Sequence, residues 1–203
     1  VIFEGTRLTT SRGDVALDDI TFDSTSPCNA IPQSSHPSVT QKPSTPIPKT
    51  TTAPKATVKT TPKPPANAFN CDFSSTLCGW IQDKTDGFDW NRHKGSTSTF
   101  GTGPTGDHTN GKGYYMYIEA SPSGVTKNSV ARLISPHIIL TPQQQGICFT
   151  MWYNMYGDHV NTLNVYRRQA GKNGNAIWKK KGTQGPTWKK AVIFFDSSVK
   201  DFQ

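Results

Sequence analysis

Short apolar/polar runs punctuated by glycine and proline recur along most of the chain. The first is "VIFEG" at Val1–Gly5, followed by "GDVALDDITF" over 13–22. Alternation in the second run places Val15, Leu17, Ile20 and Phe22 toward a core, and the acidic pair Asp18-Asp19 interrupts the period. Further strand-like runs are "GYYMYIEAS", "SVARLISPHI", "GICFTMWYNMYG", "TLNVYRRQ", "AIWKKKG" and "WKKAVIFFD". Turn chemistry separates them at Gly101-Thr102-Gly103-Pro104, Asn110-Gly111, Gly157-Asp158, Gly171 to Asn175 and Gly185-Pro186. No long helical period is present. The spacing predicts an all-β chain folded as a two-sheet antiparallel sandwich or jelly roll. No run approaches 18 consecutive apolar residues, so no segment is read as inserting directly into a membrane.

One stretch breaks the pattern. From about Ser34 to Ala66 the chain is mostly Ser, Thr, Pro and Lys, with no large aromatic residue. Such a segment has too little apolar surface to offset the entropy of ordering, and it reads as a disordered, polyproline-biased linker over 29–68. Its composition is also that of O-glycosylated, mucin-like stalks. Residues 1–28 thus stand apart from 69–203. Two strands and a turn are too few to fold alone, so the opening strands need partners from elsewhere.

The formal charge of +8 invites a nucleic-acid reading, but Lys42, Lys49, Lys55, Lys59 and Lys63 all lie in the linker, which has no acidic residue. The basic runs "WKKKG" and "WKK" lack any accompanying nucleic-acid motif and read as solvated strand faces, so nucleic acid is not an expected partner. Hydrophobic content is low at 33%, with abundant Gly and Pro, as suits a turn-rich β protein. No Asn-x-Ser/Thr acceptor for N-glycosylation occurs.

Four cysteines fall into two patterns: Cys71 and Cys78 close a short loop, while Cys28 and Cys148 stand alone near strand edges. No zinc spacing is present, and an oxidising compartment fits this usage better than a reduced cytosol, with buried free thiols as the alternative for the isolated pair.

The motifs "CDFSSTLCGWIQD", "FDWNRHKG", "GPTGDHTNGKGYYMYIEAS", "ARLISPHI", "CFTMWYNMYG" with "LNVYRR", and "WKK" ahead of "FDSS" resemble a MAM domain in order and spacing. The likeness covers 69–203, lacking the closing strands. "FEG" with "GDVALDDITF" and Cys28 resembles how such a domain ends, so 1–28 reads as the C-terminal end of one copy and the chain as a shifted slice through a tandem array. The resemblance implies a jelly-roll-like sandwich and a non-enzymatic extracellular module for adhesion or protein interaction, in a secreted or membrane-anchored protein. Its partners would be extracellular proteins, homophilic pairing included. The resemblance also implies one disulfide between Cys71 and Cys78 and another between the third and last cysteines of a copy, positions that Cys148 and Cys28 match. Because 1–28 and 69–203 have complementary exposed edges, the first can complete the second within one molecule, which requires the Cα atoms of Cys28 and Cys148 to lie within about 7 Å.

Candidate chemistry is sparse. Asp107-His108 and Asp158-His159 offer acid/histidine neighbours, but adjacent strand residues point to opposite faces, and no nucleophile elbow, metalloprotease or phosphate-loop motif appears. No cofactor is required. Calcium or another structural cation is a candidate at Asp72, Asp107 and Asp18, the acidic residues embedded in the motifs, where the resemblance implies a cation. Trp80, Trp90 and Trp152 read as core residues. Trp178 and Trp188 read as the better candidates for exposure, and as stacking platforms in the alternative function of a glycan-binding module.

Overall fold

The computed structural model describes residues 1–7, 12–24, 28, 69–119 and 129–203. The expected linker over 29–68 lies outside the described residues. Twelve strands and no helix are found among those described. They are β1 (Ile2–Arg7), β2 (Asp14–Asp23), β3 (Ile81–Gln82), β4 (Asn91–Lys94), β5 (Tyr114–Glu119), β6 (Val130–Ile134), β7 (Ile138–Ile139), β8 (Gly146–Tyr156), β9 (Val160–Gln169), β10 (Lys172–Lys181), β11 (Gly185–Asp196) and β12 (Asp201–Phe202).

Two five-stranded antiparallel sheets face each other. The first runs β10-β9-β1-β6-β3 and the second β11-β8-β2-β5-β4, with β12 and β7 forming a small third ladder. The all-β sandwich that the alternation predicts is therefore the fold. β1 and β2 are each the third strand of their sheet. β1 lies between β6 and β9, and β2 between β5 and β8. Residues from 1–24 and 69–203 thus share one core, with Cys28 bridged to Cys148 at a Cα separation of 5.8 Å.

Strand periodicity decides which side chains enter that core. In β8 the odd positions Phe149, Met151, Tyr153 and Met155 point inward. In β2 the inward set begins as Val15 and Leu17 and continues as Ile20 and Phe22, a change of parity that demands one extra residue. That residue is accommodated between Asp18 and Thr21, where three steps along β2 match two along β8 from Trp152 to Thr150. Asp19 takes φ 44° at this bulge. Immediately after it, Ile20 exchanges backbone hydrogen bonds with Cys71 at 2.8 and 2.9 Å. The bulge therefore docks the Cys71–Cys78 loop, itself a disulfide with 5.8 Å between Cα atoms.

Aromatic rings fill the centre. Phe3 of β1 stacks on Trp80 at 5.0 Å and approaches Phe149 at 5.6 Å, while Phe22 meets Phe149 at 4.9 Å. Trp80 and Trp90 are both buried, and the Trp90 indole donates to the Ala131 carbonyl at 3.0 Å.

Candidate interaction surface

The connection from β4 to β5, residues 95–113, lies as a strap across the outer face of the second sheet. Even positions of β8 and odd positions of β5 point to that face, which carries Tyr115 and Tyr117 around Ala16, with Trp188 packed against them. The strap is fastened along its length. Tyr115 Oη donates to the Gly95 carbonyl at 2.7 Å, Thr102 Oγ1 to Asp14 Oδ2 at 2.7 Å, Gly103 N–H to the Tyr156 carbonyl at 3.1 Å, and Trp188 Nε1 to the Gly106 carbonyl at 3.0 Å. Gly103 sits at φ +56°, and a Cβ there would lie 2.7 Å from the Thr97 side chain and 2.9 Å from Asp14 Oδ2. Only glycine lets the strap close this tightly.

The acidic residues gather at one end of the strap. The bulge at Asp18 and Asp19 aims both carboxylates toward it: Asp18 accepts from Asp19 N–H and His108 N–H at 2.8 Å each, and Asp19 Oδ2 pairs with His108 Nδ1 at 2.6 Å. Thr109 Oγ1 also donates to Asp19, at 2.8 Å. The His108 ring lies flat on Trp152, with centroids 3.6 Å apart and planes 17° off parallel. Asp18 has no solvent exposure, and burial, with smaller contributions from the Asp19 and Asp107 charges, pushes its carboxyl up to about 7 against the two N–H bonds that favour the ion.

These aspartates are held by backbone N–H donors. Asp107 accepts Gly113 N–H at 2.8 Å and Asn110 N–H at 3.3 Å, and Asp72 accepts Ser74 N–H at 2.9 Å, so each is committed to a turn. Asp72 joins Asp19 only across a hollow of about 330 Å³ that also takes in Asn70 and Thr21. Among the described residues no three His, Cys, Asp or Glu side chains converge as metal ligands. The His108 ring nitrogen Nδ1 is engaged by Asp19, and among the described residues no serine, threonine or cysteine is hydrogen-bonded to the ring.

The aromatic assignments change in two places. Trp178 is 2% exposed, because it holds an inward position in β10 and packs edge-on to Tyr153 at 5.0 Å. It cannot stack on a sugar. Trp188 is half-buried and held by its bond to Gly106, with its edge toward Tyr115 at 5.8 Å. Trp152, in contrast, is not a core residue but lies on the outer face beneath His108, because it holds an even position of β8.

At the other end of the strap a cleft of about 500 Å³ opens between Arg12, the strap tip at Phe100, Tyr156 and Asp158. Its floor is backbone held close: His159 N–H donates to the Arg12 carbonyl at 2.7 Å, and Gly157, at φ +126°, brings its Cα so near that a Cβ would lie 2.5 Å from the Arg12 oxygen. Phe100 is fully exposed, at 103% of the reference value.

Residues 71–203 match the family described as "MAM domain, meprin/A5/mu". This chain belongs to the MAM family. Neuropilin-1a of Danio rerio is 35% identical over 142 residues, covering 66% of this chain and 15% of that protein. Thyroid hormone-induced protein B of Xenopus laevis is 40% identical over 129 residues, covering 63% of this chain and 18% of that protein. MAM domain-containing glycosylphosphatidylinositol anchor protein 2 of Mus musculus is 36% identical over 139 residues, covering 62% and 14%. The chain spans less than a fifth of each of these relatives.

Within this MAM chain, reading the sequence missed the three features that shape the surface. Phe100 sits between Thr99 and Gly101, just before the turn read at Gly101 to Pro104, although a lone phenylalanine flanked by Ser, Thr and Gly, with no alternating partner, is the signal of an exposed ring. Asp19 and His108 are 89 residues apart, and no local pattern pairs them. The cleft's charged members, Arg12 and Asp158, belong to two turns that only the pairing of β2 with β8 brings together.

Proposed function

We propose that this MAM chain is a non-enzymatic extracellular module that binds other proteins in adhesion. The observation that carries the reading is Phe100, a wholly exposed aromatic ring on a strap fixed by hydrogen bonds at both ends, beside a cleft with polar walls. Rigid aromatic anchors beside pockets are the side chains on which protein interfaces concentrate their binding energy. Two disulfides favour an oxidising, extracellular setting. A relative described as a glycosylphosphatidylinositol anchor protein supports the same placement, in a secreted protein or an ectodomain.

No cation is needed in this reading, since the aspartates are satisfied by N–H donors, and EDTA should leave Tm unchanged. A glycan-binding role loses the Trp178 platform and retains the half-buried Trp188 and the rings of Phe100 and Tyr156. The test is to present the whole chain to arrays of extracellular proteins and of glycans, beside its Phe100→Ala variant. Saturable protein binding lost with the ring supports the reading. Saturable glycan binding with no protein partner overturns it.

A further inference from the structure

We propose that Asn110-Gly111, in the turn at the acidic end of the strap, is a site of spontaneous deamidation, at which the chain converts its own side-chain amide into an aspartate or an isoaspartate link. The reaction needs only the chain and water. It goes beyond the adhesion reading and does not rest on it.

The pair is exposed, and its surroundings supply what the chemistry requires. Asp107 fixes the turn, accepting Asn110 N–H at 3.3 Å and Gly113 N–H at 2.8 Å. Lys112 N–H donates to Asn110 Oδ1 at 2.9 Å, which folds the Asn110 side chain over the intervening Gly111 amide. Among residues 110 to 113, the Gly111 N–H alone has no acceptor among the described residues. Gly111 sits at φ +73°, with nothing within 4 Å of where a Cβ would lie, so water reaches the reacting atoms.

The Gly111 nitrogen is placed to attack Asn110 Cγ. The N–Cγ bond forms and the Cγ–Nδ2 bond breaks, the Gly111 amide proton passes through water to the departing nitrogen, and ammonia leaves a five-membered succinimide behind. During the attack negative charge collects on Oδ1, where the Lys112 N–H already points. One water then opens the ring. Breaking the imide bond at Cγ gives an aspartate in the normal backbone, and breaking it at the main-chain carbonyl carbon gives isoaspartate, whose backbone runs through the former side chain. One water is consumed and one ammonia released, with nothing oxidised or reduced.

The fold distinguishes this site from the same dipeptide elsewhere. Asn173-Gly174 is also exposed, but Asn173 lies in β10 opposite Arg168 of β9, which holds it extended. Ring closure requires the following amide to swing toward the side chain, and the strand resists that swing. At Asn110 the product disturbs the strap where it is anchored. A carboxylate at 110 repels the Asp107 carboxylate that accepted the Asn110 N–H. Isoaspartate also lengthens the turn by one methylene. A Cβ on Gly106 would lie 2.5 Å from the Gly111 carbonyl oxygen, so the two segments have no slack, and the Gly106 carbonyl accepts from Trp188 Nε1 at 3.0 Å. The longer turn therefore displaces Gly106 and loosens the strap as the molecule ages.

The test keeps the whole chain at neutral pH and body temperature for weeks and maps its peptides by mass spectrometry, with isoaspartyl methyltransferase labelling to mark isoaspartate. Asn110 should deamidate at least about tenfold faster than Asn173, a barrier difference of about 1.4 kcal/mol. In urea the two rates should converge, because the dipeptides are identical. Comparable rates in the folded chain, or a gap that persists in urea, overturns the proposal. Amide hydrogen exchange in the aged chain should quicken at His108 and Gly113, whose N–H groups are held by Asp18 and Asp107. Asn110→Gln, which would have to close a less favourable six-membered ring, should age without that change. Unaltered exchange in chains shown to carry isoaspartate overturns the loosening, and so does equal quickening in aged Asn110→Gln.

Discussion

Gln203 holds the register position that precedes Val1 on β9. Ile2 faces Tyr166 and the ladder steps one residue at a time, so the place before Val1 lies opposite Arg168. Gln203 fills it, donating from its N–H to the Arg168 carbonyl at 2.8 Å and accepting from Arg168 N–H at 2.5 Å. Ser135 spans the same junction, donating to the Val1 carbonyl at 2.9 Å and accepting from Gln203 Nε2 at 3.2 Å.

It follows that a chain in which Gln203 is joined directly to Val1 and a break is opened within 29–68 should fold to the same sandwich. Its Tm should lie within a few degrees of the parent's, with both disulfides formed. Peptide mapping without reduction checks the bridges, and a permuted chain lacking Cys28–Cys148 would contradict the register argument.

The two disulfides should differ in their contribution. Cys28–Cys148 closes a separation of 120 residues and Cys71–Cys78 one of 7. Loop-closure entropy assigns them about 5 and about 2 kcal/mol. Urea midpoints of Cys28→Ser/Cys148→Ser and Cys71→Ser/Cys78→Ser should rank in that order, and equal losses would show that native-state contacts outweigh chain entropy.

Asp18 should make the fold less stable as pH rises from acid to neutral. Its carboxyl is raised from 3.8 to about 7 in the folded state, so between those values the folded chain binds the proton more tightly than the unfolded one. Stability is greatest below 3.8, falls as pH climbs through 7, and levels off above it, by an amount on the order of a few kcal/mol. Asp18→Asn should flatten that part of the Tm-against-pH curve. An unchanged slope would mean that other groups set it.

Replacing Trp178 with Ala should lower stability by about 3–5 kcal/mol, as for other buried large rings, through the lost packing on Tyr153. Equilibrium unfolding measures this. A loss under about 1 kcal/mol would return the ring to the surface.

Much of the architecture was legible along the chain because strands write their faces with a period of two. The sandwich follows from that, and the interruption of the period at Asp18-Asp19 coincides with the bulge between Asp18 and Thr21. Trp178 was misread because the lysines that follow it suggested a solvated strand, whereas its ring is the buried side chain of that strand. Trp152 was misread in the opposite sense, since a strand buried on both faces hides which parity is outermost; Met151 and Tyr153 beside it look no more apolar than it does. The strap could not be foreseen. Its docking depends on contacts such as Thr102 with Asp14, 88 residues away, and Trp188 with Gly106, 82 residues away.

The central places of β1 and β2 have a consequence for biosynthesis. Cys28 leaves the ribosome 120 residues ahead of Cys148, a wait of about 6–24 s at 5–20 residues per second. Until β5 and β6 emerge, Phe3 and Leu17 belong to strands without a neighbour in their sheets, and β8 and β9 come later still. Cys71 and Cys78 arrive first, and either can capture the waiting Cys28 thiol before its native partner appears. Correct pairing therefore turns on a race between closure of the short Cys71–Cys78 loop, which removes both competitors, and mispairing that only thiol exchange can reverse.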